Sequence, residues 1–453
     1  MHLRQFFSWC LGFFFIITTA SAAVPEHQSY RLDNGLQVIV VRESRAPLVV
    51  TQVWYRVGSI DEPDGQTGIS HMLEHMMFQG TDTVAPGQYS KRIARLGGTD
   101  NAATSRDYTF YYSKLAKQHL SVALEMEADR MRFLKLQNKE FQPENNVVQE
   151  ERRMRVDNNP HARIREQYTQ ELYRGHSYSQ PIIGWMKDVQ GLTVEQLQAW
   201  YQRFYAPNNA TLVIAGDVDF AQTKKYVQQF FGPLQADAAF KPPVDPQWQA
   251  PTTKRTYHYQ DQQIRRPSWM ANWLVPSNQG GDNQDEVYAL KLALQLLNGG
   301  ISNRLQKLTQ GEGKLVSAGA SYSMFSRGPS SFGLYAMPQK EVSMATVEQM
   351  VMAEITKLAE KPASAAELRK VKNGLLASQI YARDSVQGMA NVIGRLSTLG
   401  LDWERYYAEF EQRIEQVTPE QIQNAVRRYL RADQVVIGIT TPQQKPASKE
   451  QQG

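Results

Sequence analysis

Leu192-Thr193-Val194-Glu195-Gln196-Leu197 has an echo late in the chain, Val417-Thr418-Pro419-Glu420-Gln421-Ile422, and the echo decides the architecture. Each segment carries a Thr-x-x-Gln capping box, in which the threonine and glutamine side chains satisfy each other's backbone N–H groups, so each predicts a helix start. Pro419 falls in the first helical turn, where its missing N–H is no loss. Both helices lead to an arginine (Arg203, Arg428) and then to a strand, Thr211-Leu212-Val213-Ile214-Ala215 in one case and Val435-Val436-Ile437-Gly438-Ile439 in the other. The beginnings match more loosely, Val53-Trp54-Tyr55-Arg56-Val57-Gly58-Ser59 against Asn272-Trp273-Leu274-Val275-Pro276-Ser277. Two homologous half-domains are therefore expected, residues 25–240 and 255–442. A Pro-rich linker over 241–254, without helical or strand periodicity, joins them. In the first half, Asn34-Gly35 between Tyr30-Arg31-Leu32 and Leu36–Val41 signals a hairpin, and Val49–Val57 reads as a further strand. Strands mixed with helices in this way predict an α+β fold, each half an antiparallel sheet with helices packed on it.

With 453 residues, 42% of them hydrophobic, the chain can bury sizeable cores. The net charge of +5 is small and the basic residues are scattered, which gives nucleic-acid binding little support. The N-terminus reads as a secretory signal over residues 1–22. Arg4 precedes an apolar run from Phe6 to Ile17, and Ala20-Ser21-Ala22 offers a cleavage site. A periplasmic or secreted protein follows, with an uncleaved anchor as the alternative; no later segment approaches the length of a membrane span. The sole cysteine, Cys10, lies in that signal, so the mature chain has neither disulfides nor thiolate ligands. Residues 443–453 are polar and expected to be a disordered tail.

The chemistry is concentrated in His71-Met72-Leu73-Glu74-His75. On a helix the two histidines lie one turn apart on one face, where both imidazoles can reach one metal ion. Glu74 stands beside them, free to act as a base toward an attacking water. Leu73, Met76 and Met77 form the opposite, core-facing stripe. The pattern H-x-x-E-H is the reverse of the commoner H-E-x-x-H of zinc peptidases. In the repeat register this stretch faces Ala289-Leu290-Lys291-Leu292-Ala293, so the second half has no metal helix. A catalytic zinc takes three protein ligands. The segment Glu144-Asn145-Asn146-Val147-Val148-Gln149-Glu150-Glu151 offers Glu144, Glu150 or Glu151, with Glu144 and Glu151 on one helix face, and composition does not choose among them. His27, His119, His161, His176 and His258 lack ligand spacing.

In these features the chain resembles the pitrilysin family, which includes insulin-degrading enzyme and the mitochondrial processing peptidase; its length is that of the short bacterial members. Gly97-Gly98-Thr99-Asp100-Asn101-Ala102-Ala103-Thr104, Asp157-Asn158-Asn159-Pro160 and His176–Gly184 resemble further family landmarks. The resemblance implies a zinc endopeptidase with one Zn²⁺ per chain, held by His71, His75 and Glu151. Glu74 would be the general base and Glu144 a supporting glutamate. Asn101, Ala102 and Ala103 would form the edge strand to which a peptide or unfolded polypeptide adds. One departure stands out. The family's Arg…Tyr pair, aimed from a second half at the substrate carbonyl, has its slots at Thr309 and at Val316 or Ser317; Arg304 and Tyr322 are near but wrongly spaced. A paralogous subunit supplying the pair is the expected partner, and a homodimer using Tyr322 is the alternative. A weakly active or non-catalytic scaffold subunit is the rival reading of function, and a metal-storage module a third. The intact motif counts against the scaffold, and storage has no use for Glu74.

Overall fold

The computed structural model describes residues 24–278, 284–300, 303–311 and 313–443. The expected signal segment and the tail beyond Gln443 lie outside the described residues. Strands β1 (His27–Arg31), β2 (Gln37–Arg42), β3 (Leu48–Tyr55), β4 (Thr99–Thr104), β5 (Thr109–Ala116) and β6 (Ala210–Gly216) make one sheet, in the order β1-β2-β6-β3-β5-β4. Strands β7 (Arg255–Asp261), β8 (Ser268–Val275), β9 (Leu315–Tyr322), β10 (Ser330–Pro338) and β11 (Val436–Pro442) make the other, ordered β7-β11-β8-β10-β9. With β1 set aside the two orders superpose, which places β3 opposite β8 and β6 opposite β11, as the duplicated segments imply. Both capping boxes form, at Thr193–Gln196 and at Thr418–Gln421.

The α+β architecture of two halves is as expected, with one refinement. Each sheet contains a parallel pair, β2 with β6 and β7 with β11, among otherwise antiparallel neighbours. Val38 lies beside Leu212, so the parallel partner comes from the far end of the same half. Local pattern carries no information about such a pairing. The hairpin at Asn34-Gly35 is present between β1 and β2. Gly35 is there of necessity, since φ is +86° and a Cβ would meet that of Asn208 at 2.8 Å. Residues 241–251 form neither helix nor strand.

The halves interlock. A helix of the second half, Val386–Thr398, lays Met389, Ala390, Ile393 and Leu396 on the outer face of the first sheet, against Ile39, Val50, Trp54 and Val213. Reciprocally, a helix of the first half, Pro160–Leu172, sets Tyr168 and Leu172 against Leu274 and Val436 of the second sheet. Tyr168 donates its hydroxyl to the Val436 carbonyl at 2.7 Å. Covering both faces explains why β2 and β6 are runs of buried residues rather than alternating ones. The inner face of the first sheet carries the core on which the His71 helix rests. In the second half the equivalent helix, Gln284–Asn298, buries Ala289, Leu290, Leu292 and Ala293 and presents no ligand. No helix of the described residues is long and apolar enough to cross a membrane.

Candidate metal centre

The helix Ile69–Met76 has two unlike faces. Ile69, Met72, Leu73 and Met76 are fully buried, with Met77 just beyond, and anchor it in the core. His71, Glu74 and His75 face a cleft of about 730 Å³. The helix starts at Gly68, whose φ of +87° suits glycine and where a Cβ would come within 2.7 Å of the Ile183 carbonyl. Its first turn is held by a buried acid. Glu62 accepts from the N–H of Gly68 at 2.7 Å and of Ser70 at 3.0 Å, satisfying donors that a helix N-terminus leaves free. Burial raises the Glu62 carboxyl to about 7 in spite of those bonds.

A second helix, Asn138–Arg152, brings Glu144 and Glu151 to the histidines. The Nδ1 of His75 lies 2.7 Å from Glu144 Oε1, while Gln79 donates to the other Glu144 oxygen at 2.7 Å. With its Nδ1 proton engaged by Glu144, His75 turns Nε2 inward. That Nε2 is 3.3 Å from Glu151 Oε2, and His71 Nε2 is 3.6 Å from the same oxygen. Glu150 points elsewhere and pairs with Arg153. The helix ends in a π-helical turn, Arg153–Asp157, while Arg152 is tied to Glu166 at 2.9 Å and to the Gly184 carbonyl at 2.7 Å.

These residues fit a zinc ion. Two ligands, each about 2.0–2.1 Å from a tetrahedral zinc, lie roughly 3.4 Å apart; the observed 3.3 and 3.6 Å bracket that value. The Glu151 Oε2 is buried without a hydrogen-bond partner, and so is His71 Nδ1. An unsatisfied buried acceptor between two imidazoles is what a cation would complete. Among the described residues, His71, His75 and Glu151 form the one group suited to holding a metal. Burial, and then the neighbouring His75, lower His71 to about 4 and so keep it neutral. Burial would lower His75 as well, but Glu144 and Glu151 outweigh it and raise that imidazole to about 9.

Glu74 stands apart from the three. Its Oε2 accepts from the Thr104 hydroxyl at 2.5 Å, and burial raises its carboxyl above the usual range. β4 is an edge strand, bonded only to β5, and Asn101, Ala102, Ala103 and Thr104 line the cleft beside Glu74. The sequence singled out neither Thr104 as a partner of Glu74, nor Glu62, nor Gln79. Thr104 could have been found as the continuation of the edge strand, whereas Glu62 and Gln79 carry no motif.

Among the described residues, the second half sends no arginine or tyrosine into this cleft. Arg304 forms a two-pronged pair with Glu367 at 2.9 Å, and the buried Tyr322 donates its hydroxyl to the Pro276 carbonyl at 2.8 Å. Thr309 bonds its own turn at Gln306, and Ser317 meets the Tyr335 hydroxyl. Within this chain Tyr322 therefore does not line the cleft, and its hydroxyl is engaged with Pro276.

The chain is similar to known proteins over most of its length. The family described as Insulinase (Peptidase family M16) matches residues 37–185, and the one described as Peptidase M16 inactive domain matches residues 191–375. Zinc protease PqqE of Helicobacter pylori is 32% identical over 379 residues, covering 82% of this chain and 84% of that protein. The crystal structure of a protease from Helicobacter pylori superposes with a TM-score of 0.86 at 27% identity, covering 92% of this chain and 100% of that one. That of the periplasmic protease PqqL from Escherichia coli gives 0.79 at 22% identity, a likeness of fold that covers 92% of this chain and 48% of that one.

Proposed function

The chain belongs to peptidase family M16, and on that premise we propose that it is a zinc-dependent endopeptidase acting on peptides or unfolded polypeptides. The observation that carries the reading is a half-buried carboxylate, Glu74, set among three ligand-type side chains but bonded to Thr104 rather than to any of them. His71, His75 and Glu151 would hold one zinc ion. When bound, zinc polarises a carbonyl and makes water acidic enough to lose a proton near neutral pH.

Glu74 takes the proton from the attacking water as its oxygen bonds to the scissile carbonyl carbon. The raised basicity of the half-buried carboxylate suits that task, and the Thr104 hydroxyl keeps it oriented. As the C–N bond breaks, Glu74 returns the proton to the leaving amine. Glu144 holds the Nδ1 proton of His75 and so fixes which nitrogen faces the metal. The free edge of β4 at Asn101-Ala102-Ala103 binds substrate main chain as an added strand, which gives affinity with little demand on sequence.

The Arg and Tyr that the family resemblance calls for come from outside this chain in our reading, on a paralogous two-half subunit in a heterodimer. The support is that Arg304 and Tyr322 are already engaged. Removing an oxyanion donor typically costs about 10²–10³ in rate, so the lone chain would be sluggish. Full activity of the isolated chain, unchanged by added partner, would instead favour a self-sufficient monomer or homodimer. The signal-like N-terminus, together with the word periplasmic in the name of the PqqL relative, supports a periplasmic or secreted location. The deciding experiment is zinc content and peptide hydrolysis of the wild type beside Glu74→Gln. The variant should keep fold and zinc yet lose about 10²–10⁴ of the rate, and activity near wild type would end the assignment.

A further inference from the structure

Beyond Thr104 the chain leaves the edge strand in a bend that is pinned in place. Ser59 donates to the Ser105 carbonyl at 3.2 Å and Ile60 to that of Arg106 at 2.9 Å. Gly58 permits the approach, since a Cβ there would come 2.5 Å from the Arg106 carbonyl. The Arg106 side chain is fixed as well. Its guanidinium lies over the rings of Tyr173 and Tyr178, with centroids at 5.0 and 5.1 Å.

Among the described residues, Arg106 has no carboxylate within ion-pair reach, and its buried Nε has no acceptor. Its neighbours are otherwise engaged. Asp107 accepts from the Tyr178 hydroxyl, and Arg155 is paired with Glu151 at 2.7 Å. A half-buried, uncompensated cation is costly unless something arrives to pair with it. Stacking on tyrosine faces leaves the in-plane N–H groups of a guanidinium available, and two parallel bonds from that fork match a carboxylate.

Position strengthens the point. Arg106 and Ile182 line both the metal cleft and an adjoining hollow of about 510 Å³ between the two halves, so the spaces meet at this residue. The hollow is lined by Ser321, Ser323 and Ser331 and by a second cation, Arg395, whose Nε is also buried without a partner. Arg395 itself is held by the Phe325 carbonyl at 2.6 Å. Among the described residues, no acid other than Asp107 lines it.

We propose that Arg106 and the hollow behind it form a carboxylate subsite. A peptide added along β4 continues past Thr104 and presents a carboxylate to the Arg106 fork, either from an aspartate or glutamate side chain or from its own C-terminus. The subsite would make the cleft selective although the edge strand is not. This rests on the peptidase reading above for its effect on cleavage, but not for binding.

The test uses the zinc-loaded full chain with any subunit that co-purifies. Three matched peptides are compared: one with an internal glutamate and an amidated end, one with glutamine in its place and the same end, and the glutamine peptide with a free C-terminus. Binding to Glu74→Gln protein is followed by fluorescence anisotropy, and cleavage by the protein with Glu74 intact is followed in parallel. A carboxylate source that fits should gain at least about tenfold over the neutral amide, in affinity and in kcat/KM. Arg106→Gln should abolish that gain while leaving the neutral peptide unchanged, and Arg106→Lys should keep part of it. A side-chain source favours the first peptide, a terminal one the third. Equal binding of all three, or an Arg106→Gln loss shared equally by the neutral peptide, overturns the subsite. Arg106-dependent binding without any cleavage by the protein with Glu74 intact would uphold the subsite and remove the peptidase reading.

Discussion

Gly394 lies so close to the Trp54 indole that a Cβ on Gly394 would come 2.1 Å from Nε1. One residue belongs to a helix of the second half, the other to a central strand of the first, and the contact is where the halves key together. Trp54 cannot retreat. It stacks on Phe110 with centroids 4.0 Å apart and donates Nε1–H to Gln52 at 2.9 Å. Gly394→Ala should therefore destabilise the protein by about 1–3 kcal/mol through overpacking, read as a lower denaturant midpoint. An unchanged midpoint would mean that the helix shifts freely on the sheet.

The two glutamates beside the histidines should separate by metal affinity. Glu151→Gln, like His71→Ala and His75→Ala, should lose most zinc binding, whereas Glu150→Gln should bind as wild type does. Glu144→Gln removes the acceptor that orients His75 and should weaken affinity by about 10–100-fold. Chelator competition measures all five variants. Metal loss in Glu150→Gln with retention in Glu151→Gln would place the ligand one residue earlier.

Zinc binding should strengthen with pH across the neutral range. His71 is neutral there, being lowered to about 4, but His75, raised to about 9 by Glu144 and Glu151 against its burial, carries a proton that must leave before Nε2 can ligate. Between about pH 5 and 8 the affinity should rise close to tenfold per unit, with about one proton released per ion. Calorimetry in buffers of different ionisation enthalpy counts that proton. A count of zero would show that His75 is already neutral in the metal-free protein.

Glu62 gives stability its own pH signature. Burial raises its carboxyl from 4.5 to about 7, so the fold favours the protonated form. That contribution is complete below the unfolded value and is lost as pH rises through about 7. Glu62→Gln imitates the protonated acid. Its stability should accordingly fall less than that of the wild type between pH 5 and 8, both measured metal-free by thermal unfolding. Parallel pH slopes would show that Glu62 is ionised throughout.

Much of the first sheet's outline was legible in advance because its signals are local. The turn at Asn34-Gly35 needs only its own backbone angles, and the boxes at Thr193 and Thr418 span one helical turn each. The parallel neighbours β2 and β6 were not legible, since Val38 and Leu212 meet only after the whole half has folded around them. Nor was the interlock of the halves. The apolar faces of the helices Pro160–Leu172 and Val386–Thr398 say that each is covered, not by which sheet.

The sequence by itself determined that His71 and His75 share a helix face with Glu74 beside them, because the helical period sets that relation within one turn. It also determined that the second half has apolar residues where the first has ligands. Only the tertiary structure decided which downstream glutamate meets the histidines, that Glu144 reaches His75 Nδ1, that Thr104 holds Glu74, and that Tyr322 is engaged elsewhere. Those relations join residues far apart in the chain. They depend on how helices seat against one another and against a sheet edge, and that seating is chosen by the packing of the whole core rather than by the spacing within any one segment.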